Sequence, residues 1–132
     1  MTGCVLDTDV VIAALDRSDD HHRSATVLLR GLNEKATPLL ISTINYAEAL
    51  VRPADDPETL GIAVDAIAAV GVIPVPPSAA VAREAARLRG LGISLADGFA
   101  LATAMSRSVS IASFDARVRR AAGEAGVQIA GA

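Results

Sequence analysis

The sequence predicts an α/β protein with a central, mostly parallel sheet of four or five short strands and helices on both of its faces. Three features of the chain lead there. Short apolar runs alternate with longer segments of helical spacing along the 132 residues, the order that builds a parallel sheet covered by helices. Apolar residues make up 52% of the chain and aromatic ones only 2%, so small and branched aliphatic side chains must fill the interior. Acids follow two of the apolar runs, at the strand ends where ligands bind in open α/β sheets.

Taken in order, "CVL" (residues 4–6) is the first strand, and a helix is expected after Asp7. Residues 22–32 carry Ala25, Leu28, Leu29 and Leu32 on one helical face. "PLLIS" (38–42) is the second strand, followed by a helical stretch in "STINYAEALVR". Pro57 suits the first turn of a helix over 57–70 that spaces Leu60, Val64, Ile67 and Ala68. "GVIPV" (71–75) is the third strand, and Pro74 puts it at an edge. Ser78 can cap a helix reaching Leu88, which "RGLG" ends. "LADGFALATAM" (95–105) reads as a helix buried nearly all round, and "SVSIAS" (108–113) as the fourth strand. A short helix over 116–125, closed by Gly126, precedes a fifth candidate strand in "VQIA". The stretches 16–23 and 52–57 read as loops, and residues 1–132 as a single domain.

The formal charge is −3. A protein that grips nucleic acid by charge alone is usually basic, so any such role here must be local or metal-assisted. The sole cysteine, Cys4, excludes an internal disulfide and reads as a buried inert thiol. There is no membrane-length apolar run and no basic flank of a secretory signal, so a cytoplasmic protein is expected.

Four carboxylates stand where bland readings are strained. Asp7 and Asp115 end predicted strands, although each can also cap the helix that follows. Glu48 falls on the stripe Ile44, Ala47 and Val51, so it is expected to face inward and need a partner. Asp97 is the one charge of residues 95–105; with Ser94 it also fits a capping box. If the four converge, they repel one another, and the chain offers a single lysine, Lys35, with arginines mostly in surface positions. A hard divalent cation, Mg²⁺ or Mn²⁺, solves that problem.

With these residues in place, the chain resembles the PIN-domain nucleases, specifically VapC-type toxins of toxin–antitoxin pairs. "VLDTDVVIAAL" is similar to the family's opening motif, with Asp7 as first acid and Thr8 as the hydroxyl beside it. "ISTINYAEAL" is similar to the second and places an acid at Glu48, "ISLADGFALATAM" to the third at Asp97, and "VSIASFD" to the fourth at Asp115. Ser113 stands where the family often has threonine, and Asp9 where it often has asparagine or serine, which leaves Asp9 an accessory role. The resemblance implies a PIN-like α/β/α sandwich and Mg²⁺- or Mn²⁺-dependent cleavage of RNA phosphodiester bonds, with Asp7, Glu48, Asp97 and Asp115 as metal-binding and catalytic residues. It also implies a homodimer held inactive by a small cognate antitoxin.

Two rivals remain. "LDTDVV" also resembles the opening of haloacid-dehalogenase-type phosphatases, which need a later lysine that Lys35 is placed too early to supply; a receiver domain lacks the same lysine. A non-catalytic PIN-like binding module is the other rival, and retention of all four acids argues against it. Arg83, Arg87 and Arg89, and Arg117, Arg119 and Arg120, are either RNA contacts or ordinary solvated faces. His21 and His22 lack a spaced zinc-ligand set and read as a surface loop.

Overall fold

Alternation along the strands decides the layering. In β1 (Cys4–Leu6), Cys4 and Leu6 enter one core and Val5 the other. In β2 (Leu39–Ser42), Leu39 and Ile41 join Cys4 and Leu6, while Leu40 packs on the side of Val5. With β3 (Val72–Val75) and β4 (Ser110–Ala112) they form a four-stranded sheet in the order β3-β2-β1-β4, every pairing parallel. The structure, a computed structural model, describes residues 2–131.

Helices cover both faces. On one side α1 (Thr8–Leu15), α2 (His22–Glu34), α3 (Thr43–Leu50) and α4 (Pro57–Val70) bury Val10, Ala25, Ala49 and Ile67. On the other, α5 (Ala79–Leu88), α6 (Leu95–Arg107) and α7 (Ala116–Glu124) bury Ala85, Leu101 and Val118. The α/β/α sandwich expected from the sequence is the observed architecture. Among the described residues, no helix is long and apolar enough to cross a membrane.

Local chemistry explains the boundaries. Asp56 accepts from the Thr59 amide at 3.2 Å ahead of Pro57, and Gly71, at φ 90°, closes α4. Ser78 accepts from the Val81 amide at 3.1 Å and starts α5. The α5–α6 packing depends on Gly98: a Cβ there would lie 2.7 Å from the Ala85 carbonyl oxygen. That close approach seats the first turn of α6 against its neighbour.

Three expectations need correction. "VQIA" is not a fifth strand. It makes one parallel bridge, Ile111 to Ile129, with Ile111 N–H donating to Gln128 O at 3.0 Å and Ala130 N–H to Ile111 O at 2.8 Å. In α4, Ala63 is buried with Ile67, whereas Ala68 is exposed, so the inward stripe runs through 60, 63 and 67. The stretch 95–105 is not buried all round: its first turn, with Ser94 and Leu95, opens to solvent. The edge position of Pro74 and the buried state of Cys4 are as expected, and burial pushes that thiol up from its ordinary value.

Candidate active site

Asp7 leaves β1 and is 2% exposed. One of its oxygens accepts from the Thr8 amide at 2.9 Å, the capping bond of α1. The other accepts from Ser113 Oγ at 2.8 Å, a bond from the end of β4. Capping and a place in the site therefore coexist. Burial, with the charges of Asp9 and Asp97 adding, pushes its carboxyl up to about 7 against the lowering effect of Ser113 and Thr8.

Asp9 lies in the first turn of α1, and Oδ2 accepts from the Phe114 amide at 3.0 Å. Its Oδ1 is buried and has no hydrogen-bond partner among the described residues. Burial raises its carboxyl, the Phe114 and Val10 amides oppose this, and Asp115 and Asp97 add repulsion.

Asp97 is half-buried in the first turn of α6. Ser94 Oγ accepts from its amide at 3.1 Å, one half of a capping box. Among the described residues its carboxylate accepts no hydrogen bond, and its charge is felt at both Asp7 and Asp9. Asp115 caps α7 by accepting from the Arg117 amide at 2.8 Å, and the Arg117 guanidinium lies 3.5 Å from its other oxygen. Burial acts to raise this carboxyl, but bonds from Arg117, backbone and side chain, outweigh it and hold it below the ordinary range. Of the four expected acids, Asp115 alone has a guanidinium of its own among the described residues.

Glu48 corrects the helix face read from the sequence. Ile44 and Val51 are 38% and 66% exposed, and Ala47 and Glu48 are exposed with them. The inward face of α3 is Asn45 and Ala49. Glu48 thus needs no buried ion pair; it reaches the site from the rim, where Thr8 Oγ1 donates to its Oε1 at 2.7 Å.

Asn45, which was not singled out in the sequence, organises this corner. It is fully buried and donates to Thr8 Oγ1 at 3.0 Å and to the Ala96 carbonyl at 3.1 Å. One amide thereby ties α1, α3 and the start of α6, and aims the Thr8 hydroxyl at Glu48. Its own Oδ1 is buried and unpartnered among the described residues. The available signal was a polar residue three before Glu48 and four before Ala49, on what is the buried face.

The histidines are more than a loop. His22 opens α2, and its Nδ1 lies 2.7 Å from the Ala13 carbonyl. His21 stacks on Phe114, with ring centroids 4.6 Å apart and planes 9° apart. Of the arginines, Arg87 pairs with Glu84, and Arg119 Nη1 donates to the Ser113 carbonyl at 3.0 Å.

Asp7, Asp9, Asp97 and Asp115 are electrostatically coupled at the C-terminal edge of the sheet, with Glu48 linked through Thr8. No three His, Cys, Asp or Glu side chains among the described residues form a ready-made ion cage. The donor set nonetheless fits a hydrated hard cation. Among the described residues it offers oxygens only, an orphaned carboxylate oxygen on Asp9, and a buried Asp7 with no balancing cation.

A family profile for the PIN domain matches residues 4–124. No curated protein matches the chain. Solved structures share the fold at low identity. DNA-bound VapBC from Salmonella typhimurium has a TM-score of 0.73 at 18% identity, covering 98% of this chain and 97% of that one. A VapC toxin of Mycobacterium tuberculosis, described as cleaving the sarcin–ricin loop, has a TM-score of 0.71 at 16% identity, covering 90% and 95%. FitAcB from Neisseria gonorrhoeae has a TM-score of 0.67 at 22% identity, covering 96% and 95%.

Proposed function

The chain belongs to the PIN-domain family, and from that premise we propose that it is a metal-dependent endoribonuclease, the toxin of a toxin–antitoxin pair acting in the cytoplasm. The observation that carries this reading is the coupled set of carboxylates around Asp7, buried or half-buried, with no cation among the described residues paired to Asp7, Asp9 or Asp97. Asp7, Glu48, Asp97 and Asp115 would hold Mg²⁺ or Mn²⁺, directly or through water. When bound, that ion supplies Lewis acidity toward phosphate oxygens and water, the chemistry that phosphodiester hydrolysis needs.

The protein's own part is to hold the donors still. Ser113 and the Thr8 amide fix both oxygens of Asp7. Asn45 orients Thr8, whose hydroxyl restrains Glu48. The Phe114 amide fixes Asp9. Positioned, dehydrated oxygens lose little entropy when they meet a cation.

Partners follow the same reading. The VapBC structure from Salmonella typhimurium is a DNA-bound complex, and a small antitoxin that silences this chain is proposed by analogy. A homodimer is proposed as well. Exposed Ile44, Ile62, Ile73 and Leu95 sit on α3, α4, β3 and α6, with Val51 just past α3; α3 touches each of the other three elements, and together they offer apolar area for a second copy.

The phosphatase alternative loses ground in the structure. Lys35, its only candidate lysine, lines a hollow with Gly3 and Ser108 at the opposite edge of the sheet. The test is incubation of purified protein with total cellular RNA, with Mg²⁺ or Mn²⁺ or with chelator, beside Asp7→Asn. Fragments that need both the metal and Asp7 are expected. Cleavage surviving chelation and substitution overturns the mechanism, and metal binding without cleavage favours a binding module.

A further inference from the structure

Behind the acids lies a hollow of about 540 Å³ that the proposed chemistry does not use. Arg23 of α2, Arg119 of α7, Val27, Ser113 and Phe114 line it. Its position is fixed by the site itself. Arg119 donates to the Ser113 carbonyl, while Ser113 Oγ donates to Asp7. Phe114 holds Asp9 through its amide and offers its ring to His21. Arg23 is exposed, and neither it nor Arg119 forms an ion pair with any described residue. Val27, 60% exposed, adds an apolar wall that the fold does not require. A chain of net charge −3 with an acidic edge repels a polyanion, so two guanidiniums beside that edge have a task there. Guanidinium forks bind phosphate and position a strand, while aromatic rings stack bases of single strands regardless of sequence.

We propose that this hollow is a nucleotide subsite for single-stranded RNA. Arg23 and Arg119 bind one phosphate, and the Phe114 ring, backed by the stacked His21 outside the hollow, stacks a base. The identity of the strand rests on the ribonuclease reading; the hollow and its lining do not.

The test is fluorescence anisotropy of a short labelled single-stranded RNA with the full chain in chelator, where no cleavage interferes. Arg23→Glu and His21→Ala change exposed side chains. Arg107→Glu makes the same charge change at the C-terminal end of α6, at the other edge of the sheet. Arg23→Glu should lower the slope of log affinity against log salt by about 0.7, and His21→Ala should weaken binding at least about fivefold. Arg107→Glu should stay within about twofold of wild type, since it removes charge without removing a contact. Equal losses for both arginine variants overturn the subsite, because net charge alone then explains binding. Unchanged affinity in Arg23→Glu and His21→Ala also overturns it and leaves the hollow to a protein ligand. Cleavage of the same RNA with Mg²⁺ is scored separately. Wild-type cleavage with unaffected binding in the variants sinks only the subsite, whereas the expected binding pattern without any cleavage sinks only the ribonuclease.

Discussion

The two ends of the sheet are built from the same four strands and obey opposite rules. At the N-terminal end, backbone groups satisfy one another: Cys4 N–H donates to Pro38 O at 2.9 Å, Ser110 N–H to Gly3 O at 3.3 Å, and Val109 N–H to Ala104 O at 3.1 Å. The charged side chain lining the hollow there, Lys35, is exposed. At the C-terminal end, Asp7 is buried, Asp9 keeps an orphaned oxygen, and Asp97 repels both. One end makes the fold stable. The other holds a local conflict that a bound cation would relieve, so on the proposed function stability and activity should respond separately to substitution there.

The largest separation is expected at Asp7. Asp7→Asn should lower RNA cleavage by roughly 10²-fold or more, as losing a group that acts on the transition state does, while melting of the metal-free protein stays level or rises. A fall in both would mean that Asp7 is structural. Ile111→Ala in the middle of β4 is the reverse case. It deletes a fully buried side chain and should cost about 2–5 kcal/mol by denaturant unfolding, with cleavage by the folded fraction unchanged.

The pH dependence sharpens the contrast. The Asp7 carboxyl rises from an ordinary 3.8 to about 7, so the folded chain binds more protons than the unfolded one between those values. Its stabilising effect is complete below about pH 4 and lost as pH rises through about 7, with a ceiling of about 4 kcal/mol. Thermal melting of the metal-free protein should therefore fall across that window. Asp7→Asn should flatten the slope, and Mg²⁺ should restore stability at pH 8. A slope identical in wild type and Asp7→Asn would assign it to other groups.

A smaller effect is expected at the junction of the two regimes. Asn45→Ala removes the amide that ties Thr8 to the Ala96 carbonyl. It should cost about 1–3 kcal/mol, the cost of leaving buried partners unpaired, and lower cleavage at saturating metal more than Leu95→Ala does on the exposed face of α6. Equal effects from the two substitutions would remove the positioning role.

Most of the fold was legible because its signals are local. Apolar runs of three to five residues, the first-turn proline at position 57 and the cap at Ser78 need no knowledge of tertiary contacts. The acids at the strand ends were legible for the same reason. What failed was the reading of α3, where a stripe of Ile44, Ala47 and Val51 looked inward and is exposed. Hydropathy cannot find a face whose buried member is an asparagine, because the reason for burying Asn45 is a carbonyl 51 residues away. The His21–Phe114 stack escaped likewise, since its partners are brought together only when α2 and β4 dock on the same sheet. The last strand fell short because residues 127–130 pair at one position only.

The central claim, that the carboxylates at the C-terminal edge share a divalent cation, is tested most directly by Mn²⁺ titration calorimetry near pH 7.5 on wild type, Asp7→Asn and Asp97→Asn, each shown folded by circular dichroism. The account predicts saturable binding to wild type that is lost or greatly weakened in both variants. Wild type without saturable binding, or variants that bind as wild type does, would contradict it.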